Sequence, residues 1–193
     1  MALKRLVFDI ETKNFFQQVG SNEPSALDIS LVGIFDSATN SYSSYLEAEL
    51  PALWPILEQT DLLIGFNSNY FDIPLLNKYY PGDLTKIKSL DILEEIRSAY
   101  GRRMRLDQLA EGTLGVRKSG HGLEAVKWWR EGEIEKIREY CLDDVKITKE
   151  LYDFARANNL LKFKEGGAIN EIKLDATGWE SESGNALTHT LPF

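Results

Sequence analysis

A chain of 193 residues, 43% hydrophobic and 27% charged, suffices for one well-packed domain and is too short for two comfortable ones. Its net charge of −8 argues against a protein that coats nucleic acid, because affinity for the phosphate backbone comes largely from Lys and Arg, but it leaves room for an enzyme that gathers acids around cations. Cys141 is the only cysteine, which excludes an internal disulfide and a Cys-based zinc site, so a bound metal must be held by oxygen, as suits magnesium or manganese.

Met1 to Arg5 lead into Leu6-Val7-Phe8 without an apolar run long enough for a signal peptide or a membrane span, so a cytoplasmic location is expected. Leu6, Phe8 and Ile10 alternate with Val7, Asp9 and Glu11, the period of a strand. Leu31 to Phe35 and Tyr42 to Leu46 predict two more strands in a meander. Ala52 to Glu58 predicts a short helix, and Asp61 to Phe66 a buried strand. A helix follows over Asp72 to Tyr80, with Pro74 tolerated in its first turn and Pro81-Gly82-Asp83 ending it. Ser89 or Asp91 is placed to cap a helix through Ile92 and Ile96, and Arg105 to Leu114 predicts another before Gly115. The long helix spans Glu131 to Asn158, with Ile134, Ile137, Cys141, Thr148, Leu151 and Ala155 at spacings of three and four. Beyond Lys164 the chain turns Gly-rich and polar, with one strand at Ile169 to Leu174. This division gives a domain over residues 1–165 and an extension over 166–193 ending in a mobile tail. Strands followed by alternating strands and helices predict an α/β layout, a mixed sheet with helices packed on it.

Residues two apart on a strand share a face, so Asp9 and Glu11 present adjacent carboxylates, and like charges that close need a cation or a shared proton. Alone, such a pair marks no more than an exposed strand end. Asp72 follows the apolar strand and the turn Asn67 to Phe71, where open α/β sheets bind ligands. The long helix discriminates between two neighbouring acids. At about 100° per residue Asp144 falls with Ile137, Tyr140, Cys141 and Leu151 on the apolar stripe, while Asp143 groups with Lys136, Glu139 and Glu150 on a solvated face. A carboxylate on the buried side is expensive unless paired or bound to metal. Tyr140 lies one turn away on the same face.

Phe8-Asp9-Ile10-Glu11-Thr12, Gly65 through Pro74, and Tyr140-Cys141-Leu142-Asp143-Asp144 resemble the three exonuclease motifs of the DEDD superfamily in order and spacing. The second and third most resemble the proofreading exonuclease domain of family B DNA polymerases and its stand-alone prokaryotic relatives. The resemblance covers about Lys4 to Phe154. It implies an RNase H-like mixed five-stranded sheet flanked by helices. It also implies two divalent cations, magnesium or manganese, held by Asp9, Glu11 and Asp144 directly with Asp72 completing the site. Tyr140 matches the tyrosine branch of the superfamily; the histidine branch expects its His where Glu139 stands. A phenol with a pKa of about 10 is a poor base at neutral pH, so Tyr140 is expected to orient the attacking water rather than deprotonate it. Asn67 and Phe71 of the second motif are expected to contact substrate.

Between the second and third motifs the charge balance reverses, with Arg97, Arg102, Arg103, Arg105, Arg117, Lys118, Lys127 and Arg130 as candidates for a phosphate-tracking surface. Arg117 and Lys118, in a basic loop with Gly120-His121-Gly122, are expected to reach the strand. Trp128 and Trp129 cannot both face one way, so at least one is expected in the core. His121 and His189 fall outside the motifs. The apolar end Leu191-Pro192-Phe193 on a polar tail is read as disorder rather than as a docking peptide. The expected activity is a 3′-to-5′ exonuclease releasing nucleoside 5′-monophosphates from single-stranded DNA. RNA is the alternative substrate, and a non-catalytic nucleic-acid-binding module or an RNase H-type endonuclease the alternative functions. No membrane association is expected, and the sequence specifies no protein partner.

Overall fold

The computed structural model describes residues 3–117 and 122–181. The elements run β1 (Arg5–Thr12), α1 (Phe16–Val19), β2 (Ile29–Asp36), β3 (Ser41–Leu46), α2 (Trp54–Leu57), β4 (Leu62–Gly65) and α3 (Asp72–Asn77). They continue as β5 (Lys88–Asp91), α4 (Ile92–Tyr100), α5 (Leu106–Leu109), α6 (Gly122–Glu131), α7 (Ile134–Asn158), β6 (Leu160–Glu165) and β7 (Ala168–Lys173). The five-stranded sheet is mixed, in the order β3-β2-β1-β4-β5, with β2 antiparallel to its neighbours β1 and β3, and β4 parallel to β1 and β5.

Alternation along β1 assigns its two faces. Leu6, Phe8 and Ile10 enter one apolar layer with Val32, Ile34, Leu57 and the α3 residues Ile73, Leu75 and Leu76. Val7 enters the opposite layer with Phe35, Val145, Leu151 and Ala155, under α7. Asp9 and Glu11 therefore face the α7 side, continuing the row begun by Val7. β2 is buried from Ile29 to Phe35 because both of its faces are covered. At Gly33, the cross-strand partner of Asp9, α7 approaches closely: a Cβ there would meet Cys141 Sγ at 2.8 Å and Val145 Cγ2 at 3.2 Å.

The predicted long helix begins at Ile134 rather than Glu131. Gly132, at φ 74°, breaks the chain between α6 and α7 in a conformation that L side chains disfavour. The buried residues of α7 include Ile137, Tyr140, Cys141, Asp144, Thr148 and Leu151. Asp91 ends β5 and caps α4, accepting from the Leu93 N–H at 2.9 Å. The Arg105 to Leu114 helix is realised as α5 followed by a π-helical turn over Ala110–Leu114 that stops at Gly115. In that turn Gly112 abuts the β6 backbone, and Thr113 Oγ1 donates to the Lys162 carbonyl at 2.6 Å while accepting from the Lys162 N–H at 2.8 Å. Four of these elements had no sequence expectation: α1 is a single turn, β5 and β6 are short or polar on one side, and α6 follows the Gly-rich loop.

Of the 166–193 extension, the described part is packed. β7 pairs with β6, and Ile172, Leu174, Ala176 and Trp179 join the α7-side core. Glu180 bonds Arg5 at 2.8 Å and Arg156 at 3.0 Å and accepts from the Tyr152 hydroxyl, while Trp179 Nε1 donates to Glu95 at 3.0 Å. The tail from residue 182, with His189 and Leu191-Pro192-Phe193, lies outside the described residues. Among the described residues no helix is long and apolar enough to cross a membrane.

Candidate active site

β1 and β4 run parallel, so their C-terminal ends open on the same edge of the sheet, where ligands of open α/β sheets bind. β1 delivers Asp9 and Glu11 to that edge, just before its register with β2 shifts between Glu11 and Thr12. β4 ends at Gly65, and the chain turns so sharply that a Cβ on Gly65 would meet the Ser68 side chain at 2.4 Å. Asn67 adopts a left-handed conformation at φ 63°, which Asn tolerates better than most residues. Buried Asp91 clamps this turn, accepting from the N–H groups of Asn67 at 2.8 Å and Asn69 at 3.0 Å. The turn hands the chain to α3 with Asp72 as its first residue.

α7 contributes the rest from below. Cys141, facing Gly33, lies 3.4 Å from the Asp9 carbonyl oxygen and 3.5 Å from Asp9 Oδ2, donating its weak S–H in that direction. Asp144 and Tyr140 flank it on the same buried face, and the Trp128 ring meets the Tyr140 ring edge-on at 5.9 Å. Asp9, Glu11, Asp72, Tyr140 and Asp144 all line one cleft of about 420 Å³, together with Phe15, Phe16, Asn67, Phe71, Leu123 and Val126. Phe16 and Phe71 pack edge-to-face at 6.2 Å. Asp143 is exposed, about 100° around α7 from buried Asp144.

The electrostatics follow from burial among like charges. Burial first, then the charges of Asp9 and Asp91, hold the Asp72 carboxyl well above the usual carboxylate range, against hydrogen bonds from its own N–H and that of Ile10. Burial first, then Asp9, Glu11 and Asp144, push the Cys141 thiol well above its ordinary value, which keeps it a neutral donor. Asp9, Glu11 and Cys141 each offer an atom within 4.8 Å of the others. Four carboxylates around one cleft, with the single sulfur held as a thiol, form an oxygen donor set suited to hard divalent cations, and such a cation would relieve the repulsion that raises Asp72.

Of the expected substrate contacts, Asn67 and Phe71 line the cleft. Arg117 does not: it is exposed, pairs with Glu111 at 3.4 Å, and lines a separate polar hollow with Arg105, Asp107 and Lys164. Lys118 and His121 lie outside the described residues. Trp128 and Trp129 are both half-buried and pack against Leu31, Ile137 and Cys141, with Lys13 Nζ 5.0 Å above the Trp129 ring. The roles of Cys141 and Gly33 beneath Asp9 were not anticipated; the stripe position of Cys141 on the same face as Asp144 was the available signal.

The fold is similar to that of the family B DNA polymerase from the hyperthermophilic archaeon Pyrobaculum calidifontis, with a TM-score of 0.61 at 20% identity over 80% of this chain and 25% of that one. It is also similar to exonuclease I, with a TM-score of 0.55 at 13% identity over 81% of this chain and 41% of that one. Product-bound exonuclease I gives 0.54 at 12% identity, covering 81% of this chain and 44% of that one. The chain thus spans between a quarter and less than half of the length of these proteins. No curated protein matches it in sequence. Residues 6–156 match a family model described as the RNase_H superfamily, and with most of its length inside that match the chain belongs to the RNase H superfamily.

Proposed function

We propose that the chain is a 3′-to-5′ exonuclease of the tyrosine branch, dependent on two divalent cations, that releases nucleoside 5′-monophosphates from single-stranded DNA. One observation carries the reading: four acids and a tyrosine from three segments far apart in sequence line a single cleft at the strand-end edge of the sheet. A binding module would gain nothing from a carboxylate cluster that repels phosphate. The similarity of the fold to that of exonuclease I supports a nuclease reading.

Asp9, Glu11 and Asp144 would hold magnesium or manganese directly, with Asp72 completing the set. The cations, when bound, supply neutralisation of the scissile phosphate and polarisation of the attacking water and the leaving oxygen. The chain's own residues do the positioning. Tyr140, its ring braced by Trp128, orients the attacking water through its hydroxyl. Phe71, supported edge-on by Phe16, offers a face on which a terminal base can stack, and such stacking tolerates any sequence. Cys141 steadies the Asp9 carboxylate from beneath.

The test is a time course on 5′-labelled single-stranded DNA with magnesium or manganese, alongside RNA of the same sequence and a closed circular DNA. Shortening from the 3′ end, lost in Asp9→Ala, supports the proposal. Comparable rates on RNA would remove the DNA preference, cutting of the circle would indicate an endonuclease, and no cleavage of any substrate would leave a binding module.

A further inference from the structure

A cleft of about 420 Å³ is the size of a small-ligand site, room for the end of a strand. The phosphates farther along must be met at its rims, and on a chain of net charge −8 that requires cations not already neutralised by acids. The basic stretch between α4 and α7 offers several, and the structure separates them.

Four are engaged by carboxylates: Arg102 by Glu165 at 2.7 Å, Arg105 by Asp107 at 3.0 Å, Arg117 by Glu111 at 3.4 Å, and Lys127 by Glu131 at 3.8 Å. Arg103 and Arg130 differ in two respects. Both are exposed with no carboxylate partner among the described residues, and each rests on a residue that lines the cleft. Arg103 donates to Asn67 Oδ1 at 2.6 Å, in the turn after β4. The Arg130 guanidinium carbon lies 5.8 Å from the centre of the Phe15 ring, in the link after β1. One hydrogen bond uses one of the five donors of a guanidinium, and stacking on a ring uses none, so both side chains keep edges that fit a phosphate.

We propose that Arg103 and Arg130 are phosphate-binding residues on two rims of the cleft, defining a path for a single nucleic-acid strand between the Asn67 turn and the Phe15 link. The inference rests on the exonuclease reading and names the surface that delivers the strand to it. Arg103 has a second effect, because its bond to Asn67 holds a cleft-lining side chain whose backbone Asp91 already fixes.

The experiment measures binding of a short 5′-fluorescein-labelled oligothymidylate by anisotropy over a potassium chloride series, with calcium replacing magnesium. It compares the wild type with Arg103→Gln, Arg130→Gln and, as a control from the paired set, Arg105→Gln. Each rim variant is expected to flatten the slope of log affinity against log salt by about 0.7, the value for one phosphate contact on a single strand, and Arg105→Gln to leave it unchanged. Unchanged slopes in both rim variants, or equal flattening in the control, would overturn the path. Shortening of the same oligonucleotide in magnesium is followed in parallel. Wild-type shortening with unaltered rim slopes defeats the path alone, whereas a wild type that neither binds nor shortens the strand defeats both proposals.

Discussion

Gly33 and Cys141 are matched across the layer between β2 and α7: a methyl group on Gly33 would sit 2.8 Å from the Cys141 sulfur, inside contact distance. Because Gly33 is the cross-strand partner of Asp9 and Cys141 reaches the Asp9 carboxylate, this vacancy sets how close α7 comes to β1. Gly33→Ala is expected to push α7 outward with Tyr140 and Asp144, destabilising the fold by about 1–3 kcal/mol. It is also expected to weaken manganese binding in calorimetry. Wild-type stability and manganese affinity in Gly33→Ala would show that the layer yields elsewhere.

Asp143 and Asp144 are adjacent, yet one is exposed and the other faces the cleft. Under the proposed two-cation reaction, Asp144→Asn is expected to reduce turnover by about 100-fold or more, while Asp143→Asn stays within about two-fold of wild type. Tyr140→Phe removes only the hydroxyl and is expected to lower kcat by about 100-fold with KM little changed. Equal losses in the two aspartate variants would contradict the facial assignment.

Asp72 should weaken the metal-free protein. Its folded pKa is raised above the unfolded value, chiefly by burial and then by Asp9 and Asp91. Between those two values the folded chain keeps a proton that the unfolded chain has lost, so this contribution to stability is present at low pH and disappears as pH rises through the folded value. In EDTA at neutral pH, Asp72→Asn is therefore expected to melt at a higher temperature than wild type and with less dependence on pH. Activity is expected to vanish. A lower melting temperature in EDTA would show that the carboxylate is satisfied without a cation.

Glu180 gathers Arg5, Tyr152 and Arg156 at the side of the core where β1 begins. Burial, then the bond to Glu180, push the Tyr152 phenol up to about 12. Glu180→Ala is expected to cost about 1–2 kcal/mol in denaturant melts, discounted because Arg5 is more than a third exposed. Turnover per folded molecule should be unchanged, and a loss of turnover without a loss of stability would be inconsistent with a purely structural bond.

Periodicity revealed the elements that carry one wet and one dry face. β1, α7 and the facial assignment of Asp144 follow from spacing, because burial on one side writes a repeat into the sequence. β5 did not show itself, since four residues, Lys88–Asp91, are too few to carry a period, and its Asp91 reads equally as a helix cap, which it also is. The strand at Ile169 to Leu174 was legible, but the packing of the segment beyond it was hidden by its polar composition: Ala176 and Trp179 attach it while the rest stays wet. That the four acids line one cleft could be anticipated from their motifs. The partition of the arginines could not, because whether a cation is neutralised depends on acids such as Glu165, far away in sequence.

The contact between Arg5 and Glu180 joins the first strand to the last described segment at the start of β1, while Asp9 and Glu11 stand four and six residues further along that strand, toward its other end. At about 3.3 Å per residue the junction and the first of these acids are separated by about 13 Å. The first strand and the last described segment are thus fastened to one another at the end of β1 away from the acids, so strain taken up at that junction is borne far from the cleft.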